Sequence, residues 1–323
     1  MFKKTGLEES MVVATAPGKI ILFGEHAVVY GQPAIAVPLS QVRAKAIVQA
    51  GHRRSVQLLA PDLGIDTTLE EAGPEDAVAI AVRQVQNAAG LDQLPPMVIT
   101  VTSDIPIASG LGSGASITAA VIRALADYLD LAHLASEEWV SHLTYEVEKV
   151  HHGTPSGIDN TVVAYERPVY FVRRQPNNQI ETFAIASPLR LLVADTGVSS
   201  STKTVVMEVR RSWQAEPERF ERLFVGCGQI AAAARTAIEA GDRNEIGRLM
   251  IQNQALLVEM TVSSPELNHL VEVSMTAGAL GAKLSGGGRG GNMIALVTHQ
   301  TEEAVFNALY RAGARSVLRN AIS

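Results

Sequence analysis

Three stretches of the sequence hold residues whose types and spacing suit chemistry. Residues 110–116 read GLGSGAS, three glycines where an amphipathic helix begins. Glycine lets backbone N–H groups approach a ligand closely. A helix N-terminus adds unpaired donors and partial positive charge, a setting for phosphate; a tight strand-to-helix turn has the same composition. Residues 17–31, PGKIILFGEHAVVYG, set Lys19, Glu25 and His26 in an apolar run. Each must find a partner or water, and a lysine–glutamate surface pair beside a turn would also meet that need. Residues 151–160, HHGTPSGIDN, hold Asp159 in a loop stiffened by glycine and proline. That placement suits a general base, and equally a turn cap. His151 and His152 have no carboxylate or third histidine at ligand spacing, which argues against a metal site.

Two standard phosphate motifs bear on these stretches. The G-x-x-x-x-G-K-[ST] loop is absent, because Val13 stands where its first glycine belongs and Ile20 follows Lys19. Gly110, Gly112 and Ala115 fit the relaxed G-x-G-x-x-A of a dinucleotide fold, with Asp130 twenty residues on. Residues 102–109 separate that glycine from its strand, whereas a dinucleotide turn follows its strand at once. Gly286, Gly288 and Gly291 match again in form, but the apolar, strand-like MIALV follows them.

These stretches need elements to hold them. Residues 11–16 read as a strand stopped by Pro17-Gly18, and residues 41–50 alternate as a strand. Residues 74–89 carry apolar side chains at helical spacing, and 98–101 is a β-branched run. After the glycine loop, Ile117, Val121, Leu125 and Leu129 mark one helix face. A second helix starts near Ser136, with Glu137 and Glu138 matching its dipole. On it Trp139, Leu143, Val147 and Val150 share a face, and Glu148 lies off that face. Residues 161–172 read as a strand pair. Further on come a strand at 191–194, helices over 218–240 and 245–260, a strand at 293–298, and a last helix and strand. Strands mixed with helices, without a strict βαβ rhythm, predict an α+β fold.

With 323 residues the chain exceeds one ordinary core, so two domains are expected, residues 1–186 and 187–323. Apolar residues make up 47%, enough for both cores. The net charge of −6 argues against a chain-wide hold on nucleic acid or an anionic membrane. A lone cysteine, Cys227, excludes an internal disulfide and a thiolate metal site and fits a reducing, cytoplasmic setting. No apolar run approaches a membrane span, and the N-terminus lacks a signal peptide's apolar core.

Together the motifs resemble those of the GHMP small-molecule kinases. APGKIILFGEHAVVYGQPAIA (16–36), IPIASGLGSGASITAA (105–120), HGTPSGIDN (152–160) and AKLSGGGRGGNMIAL (282–296) occur in that family's order and at its separations. GEHAVVYG with HGTPSGIDN is most similar to the branch that phosphorylates mevalonate. The resemblance implies a ribosomal-protein-S5-like N-terminal domain and a ferredoxin-like C-terminal one. It implies ATP- and Mg²⁺-dependent phosphorylation of (R)-mevalonate at its 5-hydroxyl, an early step of isoprenoid synthesis. Asp159 would be the base and Lys19 its cationic support. Ser109, Gly110, Leu111, Gly112, Ser113, Gly114, Ala115 and Ser116 would cradle the ATP phosphates. His26, Glu25, Thr202 and Gly287 would face the substrate, and Glu148 with Ser113 would hold the metal. A homodimer is common in the family; no nucleic acid or membrane partner is implied.

The sequence departs from the family pattern at Gly114, where a metal-binding serine is usual; glycine offers no side-chain oxygen. Ser113 or Ser116 is the nearby hydroxyl, and water is the other oxygen that Mg²⁺ accepts there. Arg289 and Asn292 stand in the third glycine motif, where Arg289 reaches either a phosphate or solvent. Three other readings fit parts of the sequence: a relative acting on phosphomevalonate, on another hydroxyl of mevalonate or on a sugar; a silent ligand-binding regulator, suggested by Gly114; and an NAD-dependent dehydrogenase, suggested by Gly110, Gly112 and Ala115.

Overall fold

In the computed structural model the described residues are 11–106, 110–152 and 155–322. They form two compact units. Of the described residues, the first takes those up to Gly18, Val42–Pro106 and those between Gly112 and Glu166; the second takes Lys19–Gln41, Gly110 and Leu111, and those from Arg167.

In the first unit, the second half of β2 (Pro33–Ala50) pairs antiparallel with β5 (Met97–Ser103), in register from Ala44–Ser103 to Ala50–Met97. β3 (Val56–Ala60) lies parallel to β5 and antiparallel to β4 (Ile65–Thr68). A parallel pair needs a crossover connection, and α1 (Ala77–Ala88) lies within it, started by Asp76, whose side chain accepts from Ala79 N at 2.9 Å. Helices α2 (Ser113–Tyr128), α3 (Glu137–His152) and α4 (Ile158–Tyr165) complete the unit. Ala115, Ala119, Ala120 and Ala124 are buried on α2, so its backbone packs closely against α1, α3 and α4.

Two elements differ from the sequence reading. β1 (Met11–Phe23) runs through Pro17-Gly18 instead of stopping there. Among the described strands it pairs with β2 alone, and an edge strand tolerates proline's missing donor. Residues 161–165, expected in a strand, finish α4. Their β-branched side chains Thr161, Val162 and Val163 are all buried, and burial overrides the weak local preference for strand. Arg123 secures the helix end: it donates to Ala164 O at 2.6 Å and to Thr15 O at 2.9 Å.

In the second unit, Pro33–Ala36 of β2 pairs with β6 (Val169–Val172), which pairs with β7 (Gln179–Thr182). A separate antiparallel sheet has the order β11-β8-β10-β9, from β8 (Leu189–Asp195), β9 (Gly281–Ser285), β10 (Asn292–Val297) and β11 (Ser316–Ile322). Helices α5 (Thr202–Ala215), α6 (Pro217–Ala240), α7 (Arg243–Glu259), α8 (Pro265–Thr276) and α9 (Glu302–Arg311) supply its helical layer. Phe220, Phe224, Leu257, Leu267, Leu284 and Met293 lie in its core. β10 is buried along its whole length, which accounts for the unbroken apolar run after the third glycine cluster.

Candidate active site

The glycine loop meets α2 at Gly112, which stands at the N-cap in a left-handed conformation (φ 78°). Only glycine adopts that freely. Among the described residues no side chain caps this helix, and its first turn has no acidic residue, so its partial positive charge suits a ligand. Gly110 is also left-handed, and Leu111 is buried. Ser109 lies outside the described residues. Ser113 is half-buried and Gly114 exposed. Ser116 is fully buried, its hydroxyl 2.6 Å from Pro17 O and 2.8 Å from Gly112 O, so it ties α2 to β1.

Asp159, expected in a loop, sits instead in the first turn of α4, half-buried, two residues after the left-handed Gly157 that opens the helix. The next residue, Asn160, donates to Ser141 O and Oγ at 3.1 and 2.9 Å and fixes the start of α4 on α3. Glu148 corrects the helix-face reading. The buried face of α3 carries Val140, Leu143, Thr144, Val147 and Glu148 itself, while Trp139 and Val150 are exposed. A carboxylate at 9% exposure on an inward face is not the solvated glutamate that the apolar spacing allowed. Among the described residues no three His, Cys, Asp or Glu side chains gather as a closed metal cage. Mg²⁺ does not need one: it takes one or two protein oxygens together with substrate phosphate and water. An oxygen donor set of Glu148 and Ser113 fits that habit.

In the second unit Lys19 is 6% exposed on β1, and its backbone N–H donates to Leu111 O at 2.9 Å, which ties the lysine strand to the glycine loop. His26 is held left-handed at φ 60°, and its Nε2 lies 3.0 Å from the Gly287 carbonyl. A carbonyl only accepts, so Nε2 carries the proton in this contact. Nδ1 is then a bare acceptor, buried and without a hydrogen-bond partner among the described residues. Burial holds the ring's pKa down at about 4, helped by the charges of Arg289 and Lys283 against the bond to Gly287. Glu25 is buried completely and accepts from Lys283 Nζ. Burial pushes the carboxyl up and the ammonium down, and their mutual attraction opposes both shifts. Thr202 opens α5, exposed, and a Cβ on Gly287 would lie 2.6 Å from its hydroxyl oxygen. Arg289 pairs with Glu208 and donates from Nε to Thr261 O at 3.2 Å. Asn292 starts β10, buried opposite Ser285 and Asp195.

Two family models match stretches that include the glycine loop, Asp159 and the third glycine cluster. The model for the GHMP kinases N-terminal domain matches residues 76–167, and that for the GHMP kinases C-terminal domain matches residues 234–315. The mevalonate kinase of Thermococcus onnurineus is 35% identical over 94% of this chain and 93% of its own length. The chain belongs to the GHMP kinase family. It is therefore a kinase, and kinases of this family use ATP. The mevalonate kinase of Aeropyrum pernix is 36% identical over 88% of this chain and 87% of its own. Among solved structures, the L. major mevalonate kinase in complex with R-mevalonate superposes with a TM-score of 0.86 at 30% identity, covering 100% of this chain and 99% of that one. The two-domain α+β architecture expected from the motifs is the GHMP kinase fold.

The sequence reading of this kinase passed over Lys283 and Arg123. Lys283 stands in an alternating strand as an ordinary polar position. The signal available was that the strand is otherwise apolar and small, AKLSG, so that a lysine there must be paired or snorkel. Arg123 lies off the apolar stripe of α2, and its partners at Thr15 and Ala164 are remote in sequence.

Proposed function

We propose that this kinase phosphorylates (R)-mevalonate on its 5-hydroxyl, with ATP as donor and Mg²⁺ as the accompanying cation. One observation carries the reading: the mevalonate kinase of Thermococcus onnurineus matches 94% of the chain, and Lys19, Glu25, His26 and Asp159 are the positions to which the motif resemblance assigns the chemistry. Phosphoryl transfer asks an enzyme chiefly for positioning and charge neutralisation. The loop 109–116 and the bare N-terminus of α2 would hold the ATP phosphates. Asp159 would take the proton from the attacking hydroxyl as the hydroxyl oxygen bonds to the γ-phosphorus and the bond from that phosphorus to the β–γ bridging oxygen breaks, with ADP leaving. Lys19 would keep that carboxylate ionised and neutralise charge on the reacting oxygens. His26, Thr202 and Gly287, with Glu25 behind them, would bind the substrate. Glu148 and Ser113 would hold Mg²⁺, which supplies charge neutralisation at the phosphates. The buried thiol of Cys227 suits a reducing cytoplasmic setting.

The test is ADP release with Mg·ATP, run in parallel on mevalonate, phosphomevalonate, diphosphomevalonate, galactose and homoserine. Turnover on mevalonate, with phosphorus NMR placing the new phosphate on C5, is the expected result. Turnover on another of these and not on mevalonate would overturn the assignment. Nucleotide binding without turnover on any would favour a silent regulator.

A further inference from the structure

The turn that carries His26 and the strand that leads into Gly287 are joined at three points. Lys283 Nζ donates to Glu25 Oε1, and also to Leu284 O at 2.7 Å. Ser285 Oγ donates to Ile21 O at 2.7 Å. His26 Nε2 donates to Gly287 O at 3.0 Å. On the α7 side, Gln254 Oε1 accepts the Leu284 N–H at 2.9 Å, which leaves β9 little room to slide.

Both members of the ion pair are at 0% exposure. Such a pair seldom adds net stability over apolar residues of the same shape, because desolvation offsets the attraction. Register is what it supplies, since the charges meet in one alignment only. The alignment fixed here is that of the His26 turn against β9. It sets the hydrogen bond that puts the ring proton on Nε2 and makes Nδ1 the ring's acceptor, a buried atom with no hydrogen-bond partner among the described residues.

We propose that Glu25 and Lys283 are positioning residues for substrate: their buried ion pair sets the register that locks the His26 tautomer, and Glu25 acts through Lys283 without touching the substrate itself. The proposal rests on the substrate reading given above, and its test separates the two. The variants are Glu25→Gln, Lys283→Met and the double variant. The measurements are kcat and KM for mevalonate and for ATP, the melting temperature, and ¹⁵N NMR of the labelled histidine ring.

Each single variant is expected to lower kcat/KM for mevalonate by roughly 10- to 100-fold, to leave KM for ATP unchanged, and to shift the His26 ring signals away from the Nε2–H form. In the double variant the melting temperature recovers, while kcat/KM falls no further than in the worse single variant. Losses that multiply in the double variant would show that Glu25 contacts substrate on its own account and would overturn the proposal. So would wild-type His26 signals in a Lys283→Met protein that has lost activity. Where a single variant does not fold, the double variant decides. Folded with the tautomer lost and KM raised, it supports the proposal; folded with wild-type signals and kcat/KM, it overturns it. Failure of the unmodified protein to turn over mevalonate would sink the substrate reading instead, and the NMR and melting results would still judge the pair.

Discussion

The Ser116 hydroxyl lies 2.6 Å from the carbonyl oxygen of Pro17, fully buried, so the helix that opens at the glycine loop hangs from the strand that carries Lys19 two residues later. Its single proton serves Pro17 O and Gly112 O, both backbone acceptors. Ser116 is thereby a strut, and the proposed cation role stays with Ser113.

Ser116→Ala should therefore act on stability. A buried hydrogen bond of this kind contributes about 1 kcal/mol, which corresponds to a melting temperature lower by about 2–4 °C. The Mg²⁺ concentration for half-maximal turnover should not move. A several-fold rise in that concentration, without a change in melting, would make Ser116 a metal ligand instead.

Gly114 invites the opposite change. A Cβ there would meet nothing within 4 Å, and its backbone is not left-handed. Gly114→Ser should fold at least as well as the parent, since serine gains roughly 0.5 kcal/mol over glycine within a helix. If the new hydroxyl reaches the cation, a magnesium titration of turnover will show half-saturation at several-fold lower concentration. Unchanged or weaker dependence would show that Glu148 and Ser113 already complete the site.

Asp159→Asn removes the proposed base while keeping shape. Turnover should fall about 10²- to 10⁴-fold, and affinity for a non-hydrolysable ATP analogue, measured by calorimetry, should hold. Near-normal turnover would remove Asp159 from the proton transfer.

His26 gives a pH dependence with a definite sign. Its folded pKa, about 4, lies below the ordinary 6.5. Between those values the unfolded chain binds the proton more readily than the folded one. Stability from this group is therefore full above about pH 6.5 and is lost as pH falls toward 4, a loss of about 3 kcal/mol. His26→Gln keeps a donor for Gly287 O and does not titrate, so denaturant unfolding across that window should lose this slope. An identical slope in the variant would assign it to other groups.

The legibility of this chain from sequence follows physical lines. Glycine loops and capped helices announce themselves locally: the amphipathic stripe of α2 and Glu137 and Glu138 at the start of α3 lie where the sequence puts them. The buried face of α3 was misread because Trp139 and Val150 are apolar yet exposed, while Glu148 is charged yet buried. An apolar count cannot see a carboxylate drawn inward. Helix α4 hid for a related reason, since Thr161, Val162 and Val163 favour strand locally and are held as helix by burial and by Arg123. Lys283 has its partner 258 residues away in Glu25, a separation at which no local pattern exists.

Arg123 joins α2 to the end of the helix that bears Asp159. Its guanidinium donates to Ala164 O at 2.6 Å, to Thr15 O at 2.9 Å and to Glu166 at 2.7 Å, and Arg43 closes the network from Glu166 back to Thr15. A cation at a helix C-terminus answers the carbonyls that have no partner there. Glu166, in a left-handed conformation at the cap, depends on the same contacts. The side chain is only 17% exposed, so water screens these bonds little. Arg123→Met should cost about 2–4 kcal/mol by chemical denaturation. Arg123→Lys should recover only part of that, because an ammonium cannot reproduce the planar fork that reaches two carbonyls and a carboxylate at once. The loss should also reach the chemistry, since a frayed α4 no longer fixes Asp159 from behind: kcat should fall in Arg123→Met, with part restored in Arg123→Lys. A Met variant that melts early yet keeps full kcat at low temperature would confine Arg123 to holding the fold.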